Sequence, residues 1–135
     1  MSKDDLATVG AIDSFLAGIE AGALAAHLFS PDAVLDATVP NWRYTIRGAD
    51  PIQAELARWY AAPGNFQQLV RRLLPDGELV EFTLTWEEDG VTHMCHQAHI
   101  LRLEDGRIAS DTAFCGGRWP APRIAEMAAA SPTPN

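Results

Sequence analysis

Lysine is almost missing from this sequence: Lys3 is the only one, and every other basic side chain is arginine. Cysteine is nearly as scarce. Cys95 and Cys115 are the only two and have no CxxC spacing, which excludes a cysteine-rich zinc site and a thioredoxin-like motif. In a reducing compartment both stay thiols. No apolar run approaches the roughly 20 residues of a membrane span. The N-terminus carries no apolar signal region, so a cytoplasmic address is expected. Positive charge is short overall, with a net charge of −8. An acidic surface repels nucleic acid and anionic membranes, so neither is expected as a partner. The glycine-rich phosphate loop, the GxSxG elbow and the HExxH pair are absent too, which sets aside nucleotide-dependent and serine-hydrolase chemistry.

What is present fits one domain. The chain has 135 residues, 47% of them apolar, enough for a sizeable core. Ser2 and Asp5 have capping-box spacing. Leu6, Val9, Ile12, Leu16 and Ile19 follow at helical spacing. Leu24, His27 and Leu28 predict a shorter second helix, which Ser30-Pro31-Asp32 stops. Residues 33–39 and 42–47 predict two short strands around Pro40. Asp50-Pro51 opens a further helix, with Asp50 as N-cap and Ile52, Leu56, Trp59 and Tyr60 as its apolar stripe. Residues 66–74, 78–87, 91–103 and 107–115 then read as four antiparallel strands. Pro75-Asp76-Gly77, Glu88-Asp89-Gly90 and Glu104-Asp105-Gly106 are the turns between them. Residues 1–120 form the domain. Residues 121–135 are an extension, with a short helix from Pro122 to Ala130 and then a disordered tail.

Three phrases in this order resemble the NTF2-like superfamily, in its SnoaL-like and ketosteroid-isomerase-like group. They are Leu28-Phe29-Ser30-Pro31-Asp32-Ala33-Val34, Ile46-Arg47-Gly48-Ala49-Asp50-Pro51-Ile52 and Leu103-Glu104-Asp105-Gly106-Arg107-Ile108. The likeness spans residues 5–119. It implies an α+β cone, with three N-terminal helices packed on a strongly curved antiparallel sheet that encloses a pocket. It also implies a homodimer, no cofactor, and functions from isomerase, cyclase, dehydratase and epoxide hydrolase to plain binding. Fold does not dictate function, and the group's known catalytic sets do not carry over. Ala37 stands where ketosteroid isomerases keep their base aspartate, with Asp36 one residue early. His99 falls near their oxyanion-binding aspartate. Phe82, Leu84 and Ala113 stand near the positions of the epoxide-hydrolase carboxylates and arginine.

The candidate chemistry is therefore this chain's own. His93, His96 and His99 tempt a metal reading. On a strand, however, His93 and His99 share one face about 20 Å apart while His96 takes the other, so no metal is expected. In the last hairpin, a three-residue loop with a bulge at Gly106 pairs Leu103 with Arg107. His99 then faces Asp111, Gln97 faces Ala113 and Cys95 faces Cys115. A two-residue loop would put Thr112 opposite His99 instead. The bulged loop is the expectation, since hairpins of this length in the resembling family turn the last strand into the pocket. His99 oriented by Asp111 is then a general acid or base; the bland alternative is a pair of satisfied half-buried polar groups. Gln97, Trp59, Trp42, Tyr44, Phe66, Cys95, Cys115, Trp119 and Glu81 are the candidate substrate-binding residues. For Cys95 and Cys115 the readings are two buried thiols or a cross-strand disulfide. For Glu81 they are a pocket carboxylate, or one that faces solvent or a partner subunit. Arg118 and Trp119 close the last strand.

Three functions stay open. One is a cofactor-free acid–base enzyme on a small apolar, ring-containing molecule. Another is a non-catalytic pocket protein. The third is a homodimeric module with an outer patch of Met94, Ala98, Ile100, Ile108 and Phe114.

Overall fold

The computed structural model describes residues 3–130, with side chains from residue 10 onward. The Ser2–Asp5 capping box and the tail at 131–135 lie outside the described residues. The elements in order are helix α1 (Lys3–Ala21), strands β1 (Phe29–Val39) and β2 (Trp42–Arg47), helix α2 (Ala49–Trp59), strands β3 (Gly64–Leu74), β4 (Gly77–Glu88), β5 (Val91–Glu104), β6 (Arg107–Cys115) and β7 (Trp119–Pro120), and helix α3 (Ala121–Ala130).

The short helix expected at Leu24, His27 and Leu28 does not form. Gly22 sits at φ 69° and ends α1. The Ala23 N–H bonds Gly18 O at 3.0 Å and the Gly22 N–H bonds Ile19 O at 3.3 Å, the paired closure of a Schellman cap. His27 then takes φ 64°, a left-handed conformation no α-helix continues through. Leu28 is buried as a plug, and its carbonyl accepts the Ile108 N–H at 2.8 Å. Helices α1 and α2 thus precede the meander while α3 follows it, which corrects the expectation of three N-terminal helices. The start of α2 is also earlier than expected. Gly48 is the N-cap and Asp50 lies inside the first turn, with no side-chain cap.

The seven strands form one sheet in the order β2-β1-β6-β5-β4-β3, with β7 on the end of β5. The sheet is mixed, since β1 runs parallel to β6. The expected antiparallel sheet is corrected there. Everything between those two strands is the long crossover that a parallel pair needs, and alternation within a strand carries no sign of its neighbour. Pro31 falls inside β1, at an irregularity between Phe29 and Val34, where its missing N–H leaves no ladder bond broken.

Two hairpins turn on Asp-Gly pairs in which both residues have positive φ: Asp89 and Gly90 at 51° and 76°, Asp105 and Gly106 at 52° and 77°. These are two-residue type I′ turns, which match the twist of the strands they join. Glu104 therefore pairs with Arg107. A bulge at Ala109 then moves the register, so that Leu101 faces Asp111 and His99 faces Ala113. The expected partners, Asp111 for His99, Ala113 for Gln97 and Cys115 for Cys95, are each displaced by two. Cys95 faces Leu84 on β4 instead, and both cysteines are free thiols. The bulge also reverses the faces of β6, so Ile108 is fully buried core and not part of the outer patch.

The inner face packs on α1 and α2 through Phe15, Ile19, Ile52, Leu56, Phe82 and Leu101, all buried. Emptying one such site, as in Phe82→Ala, costs about 3–5 kcal/mol. Gly77 is a steric requirement: a Cβ there would lie 1.8 Å from the Leu101 carbonyl oxygen.

Candidate functional site

Alternation along β5 turns Cys95, Gln97, His99 and Leu101 inward, and the register of β6 brings Asp111 to the same face. A displacement of two residues preserves the face. His99 and Asp111 are therefore diagonal neighbours and still meet. His99 Nδ1 lies 2.9 Å from each carboxylate oxygen of Asp111. Exposure is 0% for His99 and 1% for Asp111. A buried charge or dipole of this kind persists only when its partners are complete, and among the described residues no buried side-chain polar atom lacks one.

The third member is Tyr60, which sequence periodicity places in the apolar stripe of α2. It stands at the C-cap, where the chain leaves the helix and its N–H returns to Leu56 O at 3.1 Å. The phenol reaches the sheet. Its oxygen lies 2.9 Å from His99 Nε2, and its hydroxyl makes a short hydrogen bond to Gln97 Oε1. Gln97 Oε1 is also 3.3 Å from His99 Nε2, and Gln97 Nε2 donates to Cys115 Sγ at 3.3 Å. Phe82 stacks on the imidazole at 5.7 Å and 13°, and Phe15 meets it edge-on at 5.4 Å. The ring is held from every side.

Hydrogen-bond directions define two arrangements. Asp111 accepts from Nδ1–H in both. When Tyr60 donates to Gln97, its oxygen can accept from a protonated Nε2. When Tyr60 donates to Nε2, the imidazole is neutral. The two differ by one proton at Nε2, so the geometry tolerates either state of the ring. Burial, and then the nearby charge of Asp111, push the Tyr60 phenol well above its ordinary range, so it stays a proton donor. Burial likewise pushes the Cys95 thiol up to about 12.

A cleft of about 420 Å³ opens beside this network, with Trp59, Trp86, Cys95, Gln97, Cys115 and Arg118 on its wall. His99 and Asp111 are not on that wall, so Gln97 is their link to it. Tyr60 borders a smaller concavity of about 190 Å³ that shares Trp59, Trp86 and Arg118 with the larger one. Arg118 lies over the Trp86 ring at 5.0 Å and bonds Glu88, which also accepts the Trp86 Nε1–H at 2.7 Å. The hydrogen bond from Trp86, with the Arg118 charge, holds the Glu88 carboxyl below its usual range.

The other candidates lie elsewhere. Trp42 is exposed and off the cleft wall. Tyr44 donates a short hydrogen bond to Glu55, which also accepts Trp59 Nε1–H at 3.3 Å. Phe66 packs on Phe82, with ring centres 4.9 Å apart. Trp119 sits in β7 opposite Met94, its ring against Gly116 and Gly117. Glu81 is on the far face of β4, bonded to His96 at 2.8 Å, so it is no cleft carboxylate: the alternation that turns Val80 and Phe82 inward turns it out. Among the described residues, no group of three or more His, Cys, Asp or Glu side chains is placed to hold a metal ion. Nor is any described helix long and apolar enough to cross a membrane. Sequence reasoning missed Tyr60 as a polar partner, and also Glu55 and Glu88. Their contacts join distant segments, and only the polar tip of Tyr60 at the end of an apolar stripe hinted at one.

Comparison with known proteins places this geometry. The sequence matches the SnoaL-like domain over residues 12–110. Among curated proteins none matches. Several solved structures share the fold. A Bacillus subtilis protein proposed to be an isomerase is 15% identical, with a TM-score of 0.67 over 85% of this chain and 90% of that one. A Catenulispora acidiphila protein with a ketosteroid isomerase-like fold, in complex with trimethylamine, is 18% identical, with a TM-score of 0.64 over 93% and 99%. A Pseudomonas putida protein proposed to be a polyketide cyclase is 19% identical, with a TM-score of 0.60 over 89% and 96%. With most of its length matched, and with its helices on a curved, unclosed mixed sheet, the chain belongs to the SnoaL-like family of the NTF2-like superfamily.

Proposed function

We propose that this protein is a cofactor-independent enzyme that moves a proton on a small, ring-containing molecule bound in the cleft. It is isomerase-, cyclase-, dehydratase- or hydrolase-like, in keeping with the small-molecule enzymes of its family. Asp111 fixes the tautomer of His99, which acts as base or acid through Nε2. Tyr60 is the neutral donor beside it. Gln97 carries the network to the cleft wall and has to turn aside, or pass the proton's effect through its own hydrogen bonds, when a ligand enters. The aromatic rings Trp59 and Trp86 receive the apolar body.

The observation that carries this reading is the Asp111–His99–Tyr60/Gln97 chain: polar, fully bonded and buried on a face where stability alone favours apolar side chains. A second reading rests on the same burial. With the imidazole shielded from the cleft by Gln97, the network would be a rigid polar core under a site that only binds. Dimerisation through the outer sheet face is compatible with either.

Deuterium exchange decides between them. Ring ketones and enones that bind are incubated with protein in D₂O, and incorporation at carbon next to the carbonyl is followed by NMR. The enzyme reading expects exchange that Asp111→Asn and Tyr60→Phe slow by about 10²–10⁴-fold. Ligands that bind and show no exchange above buffer would leave the binding-only reading.

A further inference from the structure

The cleft wall carries charge of one sign. Among the described residues, its only charged side chains are Arg58 and Arg118, in a protein whose net charge is −8. Both are well exposed, at 77% and 51%, whereas Gln97 on the same wall is buried. The cleft therefore has cationic groups on its exposed side and a hydrogen-bonding amide on its buried side, and Trp59 and Trp86 add aromatic surface to its wall. Each arginine is oriented by one acidic neighbour through a single nitrogen: Arg58 Nη2 by Glu55 at 2.6 Å, and Arg118 Nη2 by Glu88. Neither glutamate is on the wall of this cleft, and Glu88 lines the smaller concavity beside it. Among the described residues, the remaining N–H donors of both arginines are unclaimed. Arg118 is also preset by its stack on Trp86. A guanidinium held this way forks onto a carboxylate with little further ordering.

We infer that the ligand of this cleft is a ring-containing acid, whose carboxylate is recognised by Arg118, assisted by Arg58, while its ring body lies against Trp59 and Trp86. The inference rests on the reading of the cleft as the ligand site, and it gives that site an orientation. With the anionic group on the exposed side, the opposite end of the molecule is presented to Gln97 and the His99 network.

Two fluorescent probes with one ring body test it: 1-anilinonaphthalene-8-sulfonate, whose anion stands in for the carboxylate, and uncharged N-phenyl-1-naphthylamine. Binding is read from probe emission and from quenching of the cleft tryptophans. The wild-type protein should hold the sulfonate about tenfold tighter, the usual value of one charge-assisted contact. Arg118→Gln should remove most of that preference and leave the neutral probe unchanged. Arg118→Lys should keep part of it, and Arg72→Gln, off the cleft wall, should keep all of it. Equal affinity for the two probes, or an Arg118→Gln variant that weakens both alike, would overturn the inference while leaving the cleft a ligand site. If neither probe binds or quenches, the cleft reading fails and takes this inference with it.

Discussion

Two imidazoles on β5 hold nearly the same partners on opposite faces of the sheet. His99 is bonded to Asp111 and Tyr60 on the inner face. His96 is bonded to Glu81 at 2.8 Å and to Thr83 at 2.9 Å on the outer one. Each is a carboxylate–imidazole–hydroxyl row. What separates them is water. His96 and Glu81 are 43% and 48% exposed, and His99 and Asp111 are 0% and 1%. On the outer face water competes for every bond and screens the charges, so the row is worth little. On the inner face nothing replaces a lost partner, so the same chemistry becomes rigid, costly to break and able to control where a proton sits. Constellation alone is thus a poor sign of a site; constellation with burial beside a cleft is a better one.

Breaking each row in the same way should separate them most. Asp111→Ala leaves a buried imidazole N–H unpaired and should lower stability by about 3–5 kcal/mol in urea unfolding. Glu81→Ala should change it by no more than about 1 kcal/mol. Equal losses would mean that burial does not set the difference. Tyr60→Phe against Thr83→Val probes the hydroxyl ends. The first should cost about 1–3 kcal/mol, for the acceptor left unpaired inside, and the second about 0.5 kcal/mol or less, either way.

The inner face should also respond to alkali. The fold disfavours the thiolate of Cys95, raising its pKa from 9.0 to about 12. A folded pKa above the unfolded one gives stability that is intact below about pH 9 and lost as pH climbs to about 12. Tyr44, raised from 10.0 to about 12, acts in the same direction. Unfolding midpoints should therefore fall above pH 9, and Cys95→Ala should flatten that fall. The smallest effect belongs to His96→Ala, which should leave both stability and ligand binding within about 0.5 kcal/mol of wild type.

Much of this was legible in the sequence. The Asp-Gly pairs at 89–90 and 105–106 announce their hairpins, because few residues accept two successive positive φ angles. Helix α2 shows through Ile52 and Leu56, and His99 and Asp111 could be paired because face depends only on parity. The register itself was not legible. The two-residue turn and the bulge at Ala109 together moved it by two, which keeps the face but changes every partner. The failed helix at Leu24–Leu28 has a local cause: the cap at Gly22 overrode an apolar spacing. Tyr60–His99 and Arg118–Glu88 span 39 and 30 residues, and no pattern along the chain reports such a contact. The parallel neighbour of β1 was hidden for the same reason.

The central claim is that the His99 network answers to what fills the cleft. Nitrogen-15 NMR of the imidazole side chains tests it most directly. The account predicts that His99 carries its proton on Nδ1, toward Asp111. It also predicts that the Nε2 resonance shifts as the naphthalene sulfonate fills the cleft, while both nitrogens of His96 stay still. A probe that binds and quenches the cleft tryptophans but leaves His99 unmoved would contradict it.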